Sequence, residues 1–420
     1  MLIRGGRLID PSQGVDALRD VRIVDGRVAE IGEHLETTPG DAAIDATNAI
    51  VAPGFIDMHV HLREPGFPEK ETIATGTRAA LQGGFTAVAC MPNTRPPLDT
   101  ADVLAQLKAL VARDGQCRVY PVGAITQGRA GTRSVDFAAL RAAGAVAFSD
   151  DGNTVMNARV LREAALRARE VPGVFISHAE DEDLKGEAVM NAGPVADALG
   201  VEGVSTTSED IIVARDLLIA LDTGKAWHIA HLSSARAIEL LRWSRAQGGA
   251  ATCEVTPHHL LLIDEAVRER GAAAKVNPPL RSEADARALR DAVRDGTIDV
   301  FATDHAPHTA QEKRGDLRDA AVGFTGLEIA LGAYALALPD LPLTRFVELL
   351  STNPARILNV TGGTLRVGTP ADVTIFADRP WAVDSSAFAS KGKSTPFDGR
   401  TLPRRAVATI VNGEPRFSRL

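Results

Sequence analysis

The chain has 420 residues, 45% of them apolar and 24% charged, which is the composition of a globular protein long enough to bury a large core. Its 46 basic and 54 acidic residues leave a formal charge of −8 and no basic run able to track a phosphate backbone, so nucleic acid is excluded as a main partner. Cys90, Cys117 and Cys253 are scattered and form no CxxC pair, and they read as reduced, buried thiols rather than a disulfide framework or a thiolate metal site.

The opening Met1-Leu2-Ile3-Arg4-Gly5-Gly6 lacks the basic start, apolar centre and small-residue cleavage site of a signal peptide. No apolar run approaches the length of a membrane span, so the expected location is the cytoplasm. Leu2 to Ile9, Val21 to Val24 and Val28 to Ile31 read as strands, the last two joined by an Asp25-Gly26 hairpin turn. From about Val51 to Asn359, apolar strand-like runs alternate with helical stretches rich in Ala, Leu and Arg. The predicted strands are Gly54 to His61, Phe85 to Met91, Arg118 to Val122, Ala145 to Ser149, Val174 to His178, Ala226 to His231, Ala251 to Val255 and Thr297 to Thr303. The predicted helices are Lys70 to Leu81, Ala101 to Arg113, Asp136 to Ala143, Ala158 to Arg169, Glu209 to Leu221, Ala235 to Gln247 and Glu283 to Arg294. The tail returns to strands at Val373 to Phe376, Ala406 to Val411 and Pro415 to Phe417, with a turn at Asn412-Gly413.

This alternation predicts an α/β protein built on a (β/α)8 barrel of TIM type, since strand–helix pairs fill roughly 250 to 300 residues. A doubly wound open sheet is the competitor, but no GxGxxG follows the first strand. The two β-rich ends are expected to form one small β-sandwich domain from 1–52 and 363–420, with the barrel spanning 53–362.

In an extended strand, side chains at i and i+2 point the same way, so His59 and His61 can reach one ion while Val60 packs on the other face. Imidazole pairs suit zinc and its neighbours. A barrel gathers its chemistry at the C-terminal ends of its strands. There the sequence places Asp150-Asp151 after the fourth strand, His178 after the fifth, His231 after the sixth and Asp304 after the eighth. Each has an ordinary structural explanation: a satisfied buried histidine, a helix cap at Asp304, turn residues at Asp150 and Asp151. Their joint occurrence on separate strand ends of one barrel points instead to a metal site. His34 and His228 read as structural, whereas His258 or His259 is expected to line the pocket mouth without a ligand role. The polar run Thr309 to Asp316 reads as a mobile loop or an exposed helix start.

Eight motifs occur in fixed order: GFIDMHVHLREPG (Gly54 to Gly66), ACMPNTRPP (Ala89 to Pro97), FSDDGN (Phe148 to Asn153), SHAED (Ser177 to Asp181), AHLSS (Ala230 to Ser234), EVTPHHL (Glu254 to Leu260), KVNPPLR (Lys275 to Arg281) and ATDHAPH (Ala302 to His308). With them the chain resembles the cyclic amidohydrolases and, within these, the dihydroorotases of the larger bacterial type. The resemblance implies a two-zinc hydrolase that interconverts L-dihydroorotate and N-carbamoyl-L-aspartate in de novo pyrimidine (UMP) synthesis. It implies that His59 and His61 bind the first zinc, His178 and His231 the second, and that Asp151 bridges them. Asp304 would bind the first zinc and act as catalytic acid and base. Substrate would meet His61, Arg63, Asn93, His308 and Asn277, with main-chain contacts from Val322 and Gly323, where relatives often carry Phe-Gly.

In the same resemblance, hydantoinases, dihydropyrimidinases, allantoinases and the shorter dihydroorotases bridge their metals with a carboxylated lysine at the end of the fourth strand, and this chain has Asp150-Asp151 there and no lysine. Which of that pair points inward stays open at this level, although adjacent strand residues face opposite ways. Arg63 favours a substrate bearing a carboxylate, because its planar fork binds one in two places; an ion pair with Glu64 or Glu69 is the structural alternative. The rival functions are another cyclic amidohydrolase, such as an allantoinase or hydantoinase, and a non-catalytic dihydroorotase-like partner of aspartate transcarbamoylase, although such partners lose the metal ligands kept here. The resemblance also implies a homodimer and leaves association with aspartate transcarbamoylase open.

Overall fold

The computed structural model describes residues 1–37 and 42–420. At its centre lies an eight-stranded parallel sheet in chain order: β1 (Phe55–Val60), β2 (Phe85–Cys90), β3 (Arg118–Gly123), β4 (Ala147–Phe148), β5 (Phe175–Ser177), β6 (Trp227–Ile229), β7 (Thr252–Val255) and β8 (Val300–Phe301). The sheet curls until its edges meet. Val60 pairs in parallel with His305, and the His61 N–H donates to the His305 carbonyl at 2.8 Å. Closure into a barrel leaves no open edge, and the strands are buried on both faces, which is why they read as nearly continuous apolar runs.

Eight principal helices surround the barrel: α1 (Ile73–Gly83), α2 (Ala101–Asp114), α3 (Phe137–Ala143), α4 (Ala158–Arg167), α5 (Thr207–Thr223), α6 (Ala235–Ala246), α7 (Glu283–Arg294) and α8 (Ala330–Ala337). Most of them start where the sequence supplies an N-cap. Thr72, Thr100, Asp136, Asn157, Ser234 and Ser282 each accept a backbone N–H of the first turn. The simple alternation misses insertions. After β5, short helices Glu182–Lys185 and Pro194–Leu199 accompany a two-stranded ladder of Met190–Asn191 and Gly203–Val204. After β7 come Pro257–Leu261 and Glu265–Arg270. Such elements are too short to display a period.

The expected first strand is two strands. Leu2–Arg4 and Arg7–Asp10 belong to different sheets, and the chain breaks at Gly5-Gly6, where a Cβ on Gly6 would lie 2.5 Å from Val51 Cγ2. The six-stranded end sheet runs Glu414–Ser418, Arg405–Val411, Val373–Ala377, Ile50–Pro53, Arg7–Asp10, Val15–Leu18, so it draws strands from both ends of the chain. Together with the sheet containing Leu2–Arg4 it encloses a separate apolar cluster including Leu8, Val21, Val51, Val373, Ile375 and Ile410. Ile50–Pro53 leads directly into β1, tying this core to the N-terminal end of the barrel's first strand, away from the metal cluster, by one continuous segment.

Residues 309–321 form turns, without a helix. All three cysteines are free and buried, and burial pushes the Cys90 thiol up to about 12. Among the described residues no helix is long and apolar enough to cross a membrane.

Candidate metal centre

Asp151, just past β4, stands at the middle of a buried cluster. Its Oδ1 lies 3.2 Å from His59 Nε2, 3.6 Å from His178 Nδ1 and 3.7 Å from His231 Nε2, and its Oδ2 lies 3.6 Å from His61 Nε2. His178 Nδ1 and His231 Nε2 are 3.0 Å apart, and Asp304 Oδ1 is 3.1 Å from His61 Nε2 and 3.7 Å from His59 Nε2. Two ligand groups result, His59 with His61 and Asp151, and His178 with His231 and Asp151, sharing one carboxylate.

The donor set fits a metal. Nitrogen and oxygen ligands about 2.0–2.1 Å from a tetrahedral zinc stand about 3.3 Å apart, which is the spacing found here. His59 Nε2 and Asp151 Oδ1 are buried without a hydrogen-bond partner, a costly state for polar atoms that no ligand engages. Burial raises the Asp151 carboxyl, but His59, His178 and His231 outweigh it and hold the group well below the usual carboxylate range. Asp304 behaves likewise: burial raises it, and His61 and His59 pull it strongly down. Both acids are therefore anionic, as ligands must be.

The adjacent Asp150 is otherwise engaged. Its Oδ1 accepts the N–H groups of Ile125 (2.8 Å) and Thr126 (3.0 Å), and its Oδ2 accepts the Thr126 hydroxyl. Asp150 thus locks β4 to the segment after β3, and only Asp151 faces the histidines.

A second layer orients the first. The Glu254 carboxylate on β7 lies 2.6 Å from His59 Nδ1 and 3.1 Å from His228 Nε2. A proton on His59 Nδ1 leaves Nε2 free to bind an ion. His61 Nδ1 meets Asn93 Oδ1 at 2.9 Å in the same way, so its Nε2 faces inward and the Asn93 amide nitrogen is left for the cavity. Arg129 donates to the main-chain oxygen of Asp151 at 2.7 Å. Neither Glu254 nor Arg129 was expected. Glu254 had a signal, a charged residue inside a strand otherwise buried on both faces, but Arg129 had none. Positive φ at Arg63 (63°), Arg129 (55°), His231 (30°) and Asp304 (48°) concentrates unfavourable backbone at this one site.

A cavity of about 230 Å³ opens onto the cluster, lined also by Arg63, Asn93, Asn277, His308, Val322 and Gly323. Arg63 is only 9% exposed, and no carboxylate pairs with it among the described residues. Its Nε donates to the Pro307 carbonyl at 3.1 Å, and Glu64, one expected partner, instead accepts the Ile73 N–H at 2.7 Å. A buried guanidinium without an acid is built to receive an anion. His308 Nε2 lies 2.8 Å from the Val322 carbonyl and 3.1 Å from Arg63 Nη2. Gly323 has φ 110°, and a Cβ there would meet Ala306 Cβ at 2.6 Å, so this wall of the cavity requires glycine.

The expectation for His258 and His259 is corrected. Both are buried and neither lines the cavity. His259 sits between Thr256 Oγ1 (2.8 Å) and the Pro278 carbonyl (2.9 Å), fixing the loop that carries Asn277. Burial brings His258 down to about 3, so it is a neutral packing group beside Phe324.

A closed α/β barrel whose strand ends converge on shared acid and imidazole ligands is the architecture of a metal-dependent amidohydrolase. The comparisons agree. A family model described as dihydro-orotase-like matches residues 48–237, and one for the amidohydrolase family matches 213–417. A dihydroorotase of Pelotomaculum thermopropionicum is 48% identical over 98% of this chain and 97% of its own. One of Trichlorobacter lovleyi is 44% identical over 100% and 99%. Among solved structures, an L-hydantoinase of Arthrobacter aurescens superposes with a TM-score of 0.88 at 25% identity, covering 99% of this chain and 96% of that one. The chain belongs to the dihydroorotase family.

Proposed function

We infer that this chain is a dihydroorotase, opening L-dihydroorotate to N-carbamoyl-L-aspartate and closing it again in pyrimidine (UMP) synthesis. The observation that carries this reading is the union, in one cavity, of two ligand groups sharing Asp151 with a buried Arg63 that pairs directly with no carboxylate among the described residues. His59, His61 and Asp304 would hold one zinc ion, His178 and His231 a second, with Asp151 common to both. When bound, the pair would polarise the ring carbonyl and lower the pKa of water from 15.7 to about 7.

The chain's own groups do the rest. Arg63 and the Asn93 amide nitrogen bind the ring carboxylate, assisted by His308, and hold the substrate by its one charge. The main chain of Val322 and Gly323 and the Asn277 amide meet the ring. Asp304 accepts the proton of the attacking water as the new C–O bond forms, then delivers it to the ring nitrogen as the C–N bond breaks. Ring closure is the reverse.

Two features weigh against the rivals. No lysine stands at the β4 end, where Asp150-Asp151 lies, and an uncharged hydantoin or dihydrouracil would leave Arg63 buried without a partner. A scaffold without catalysis would have no use for six grouped ligands. Turnover of dihydroorotate, dihydrouracil, hydantoin and allantoin by one purified sample tests the reading; preference for an uncharged ring would overturn it.

The same reading takes 1–52 with 363–420 as one β-sandwich domain on a barrel of 53–362, supported by strands from both ends in one sheet. It also takes the protein as a cytoplasmic homodimer able to associate with aspartate transcarbamoylase. Sedimentation with and without that enzyme checks both assemblies.

A further inference from the structure

An asparagine amide is ambident, and what it offers a ligand depends on which end its surroundings hold. Asn277 lines the cavity, and its Nδ2 lies 2.7 Å from Glu180 Oε2 and 3.3 Å from His178 Nε2. The same Glu180 oxygen accepts Lys185 Nζ at 2.6 Å. Glu180 is itself buried and its backbone is fixed: its N–H donates to Thr154 Oγ1 at 3.2 Å, and that hydroxyl donates to the His178 carbonyl at 2.8 Å. Turning the Asn277 amide over would set its carbonyl oxygen 2.7 Å from a carboxylate oxygen, two acceptors in contact. His178 Nε2, which carries the ring proton when Nδ1 faces the cluster, points it at the same Glu180 oxygen at 3.6 Å, so the 2.7 Å contact to Glu180 sets the amide's orientation, with Oδ1 turned from Glu180 and bonded to no described residue. Asn93 is held the opposite way, its oxygen on His61 and its nitrogen free.

We propose that Glu180 is a positioning residue for substrate selection: by holding the Asn277 nitrogen, it makes Asn277 present a carbonyl oxygen that takes an N–H of the ring or ureide and repels a carbonyl placed there. The proposal rests on the dihydroorotase reading. It assigns the two amides complementary tasks, Asn93 donating to the substrate carboxylate and Asn277 accepting from its nitrogen side. Selection of this kind comes as much from the repelled group as from the bound one.

The test exchanges donor and acceptor. Asn277→Asp sets a carboxylate against Glu180 and should lower kcat/KM for dihydroorotate about 100-fold, chiefly through KM. Adding Glu180→Gln removes one of the two facing carboxylate charges and should recover at least about tenfold, while Glu180→Gln alone, which loosens the asparagine's orientation without opposing it, should cost less than Asn277→Asp. Zinc content and melting temperature are read for every variant and should match the parent. A double variant no better than Asn277→Asp overturns the proposal, as does a loss that falls on kcat together with zinc content, since Glu180 would then act through His178. If Asn277→Asp does not fold, Glu180→Met, Asn277→Ala and their double serve instead. A KM in the double no higher than in Asn277→Ala supports the proposal, and multiplied effects overturn it. A parent inactive on dihydroorotate overturns the functional reading as well, whereas an active parent without rescue overturns this proposal alone.

Discussion

Asp150 and Asp151 are chemically identical neighbours with opposite tasks, one spending its oxygens on two backbone N–H groups and a hydroxyl and the other facing four imidazoles. Context also defines Asp304, which touches His61 and borders the cavity. Asp304→Asn keeps an oxygen ligand but cannot accept a proton, so turnover should fall by about 10³-fold or more while much of the zinc stays; steady-state rates and elemental analysis on the same preparation decide it. Glu254 is predicted to act on the metal through His59. Glu254→Gln should weaken zinc binding about 10- to 100-fold, measured by chelator competition, with circular dichroism unchanged. The proposed ligands were legible because each lies at or just past the end of an apolar strand, and the joint occurrence of His59-x-His61 with the others outweighed the structural reading that each has alone. Their supporting groups were not. Glu254 lies 195 residues from His59 in the chain, and no local pattern announces a partner that only barrel closure brings near. The choice between Asp150 and Asp151 was open for the same reason, since it depends on Ile125 and Thr126 on the neighbouring connection.

At the scale of elements, the eight barrel strands and the helices α1 to α7 were readable to within a few residues, because periodicity and caps are local, while α8, several strands of the end sheets and the short insertions after β5 and β7 went unread. The segment after β8 shows how an irregular element is held. Lys313, 9% exposed, donates from Nζ to the carbonyls of Ala321 (2.8 Å) and Gly323 (2.7 Å), and Lys275 donates to those of Leu317 (2.7 Å) and Ala320 (2.8 Å). Two buried ammonium groups thus gather the carbonyls around the Val322-Gly323 wall of the cavity. Burial, with Lys275 nearby, pushes Lys313 down to about 7. The unfolded value is near 10.4, so between these limits the unfolded chain binds more protons, and stability from this group rises with pH. Its penalty is complete below about pH 7 and gone above about 10.4. Lys313→Met should therefore flatten the rise of melting temperature between about pH 7 and 9.5 relative to the parent. Freed carbonyls around Gly323 should also raise KM for dihydroorotate more than they lower kcat; an unchanged KM would show that the loop holds its shape without the lysine.

Across the whole molecule, the proposed ligands come from the ends of β1, β4, β5 and β6, with Asp304 of β8 beside them, so bound ions would cross-link most of the barrel's circumference. The end sheets brace the opposite side of the chain's path: Arg118 on β3 pairs with Asp372 at 2.8 Å, and the hydroxyls of Thr374 and Thr409 donate to the Gly84 and Leu81 carbonyls beside α1. The barrel thus has one set of ties made of protein alone and another that needs metal. Removing the ions should loosen the mouth without dissolving the fold. Each ion present at about 100 times its dissociation constant contributes about 2.7 kcal/mol, which for a chain of this length is about 3 °C in melting temperature. Dialysis against a chelator should lower the transition by about that amount per ion, abolish turnover and leave far-ultraviolet dichroism nearly intact, and added zinc should restore both temperature and activity. Because Asp151 serves both groups, Asp151→Asn should remove most of the zinc-dependent shift, whereas replacing His178 alone should remove about half. A melting curve indifferent to chelator and zinc would mean that these ligands do not hold the ions the barrel is arranged around.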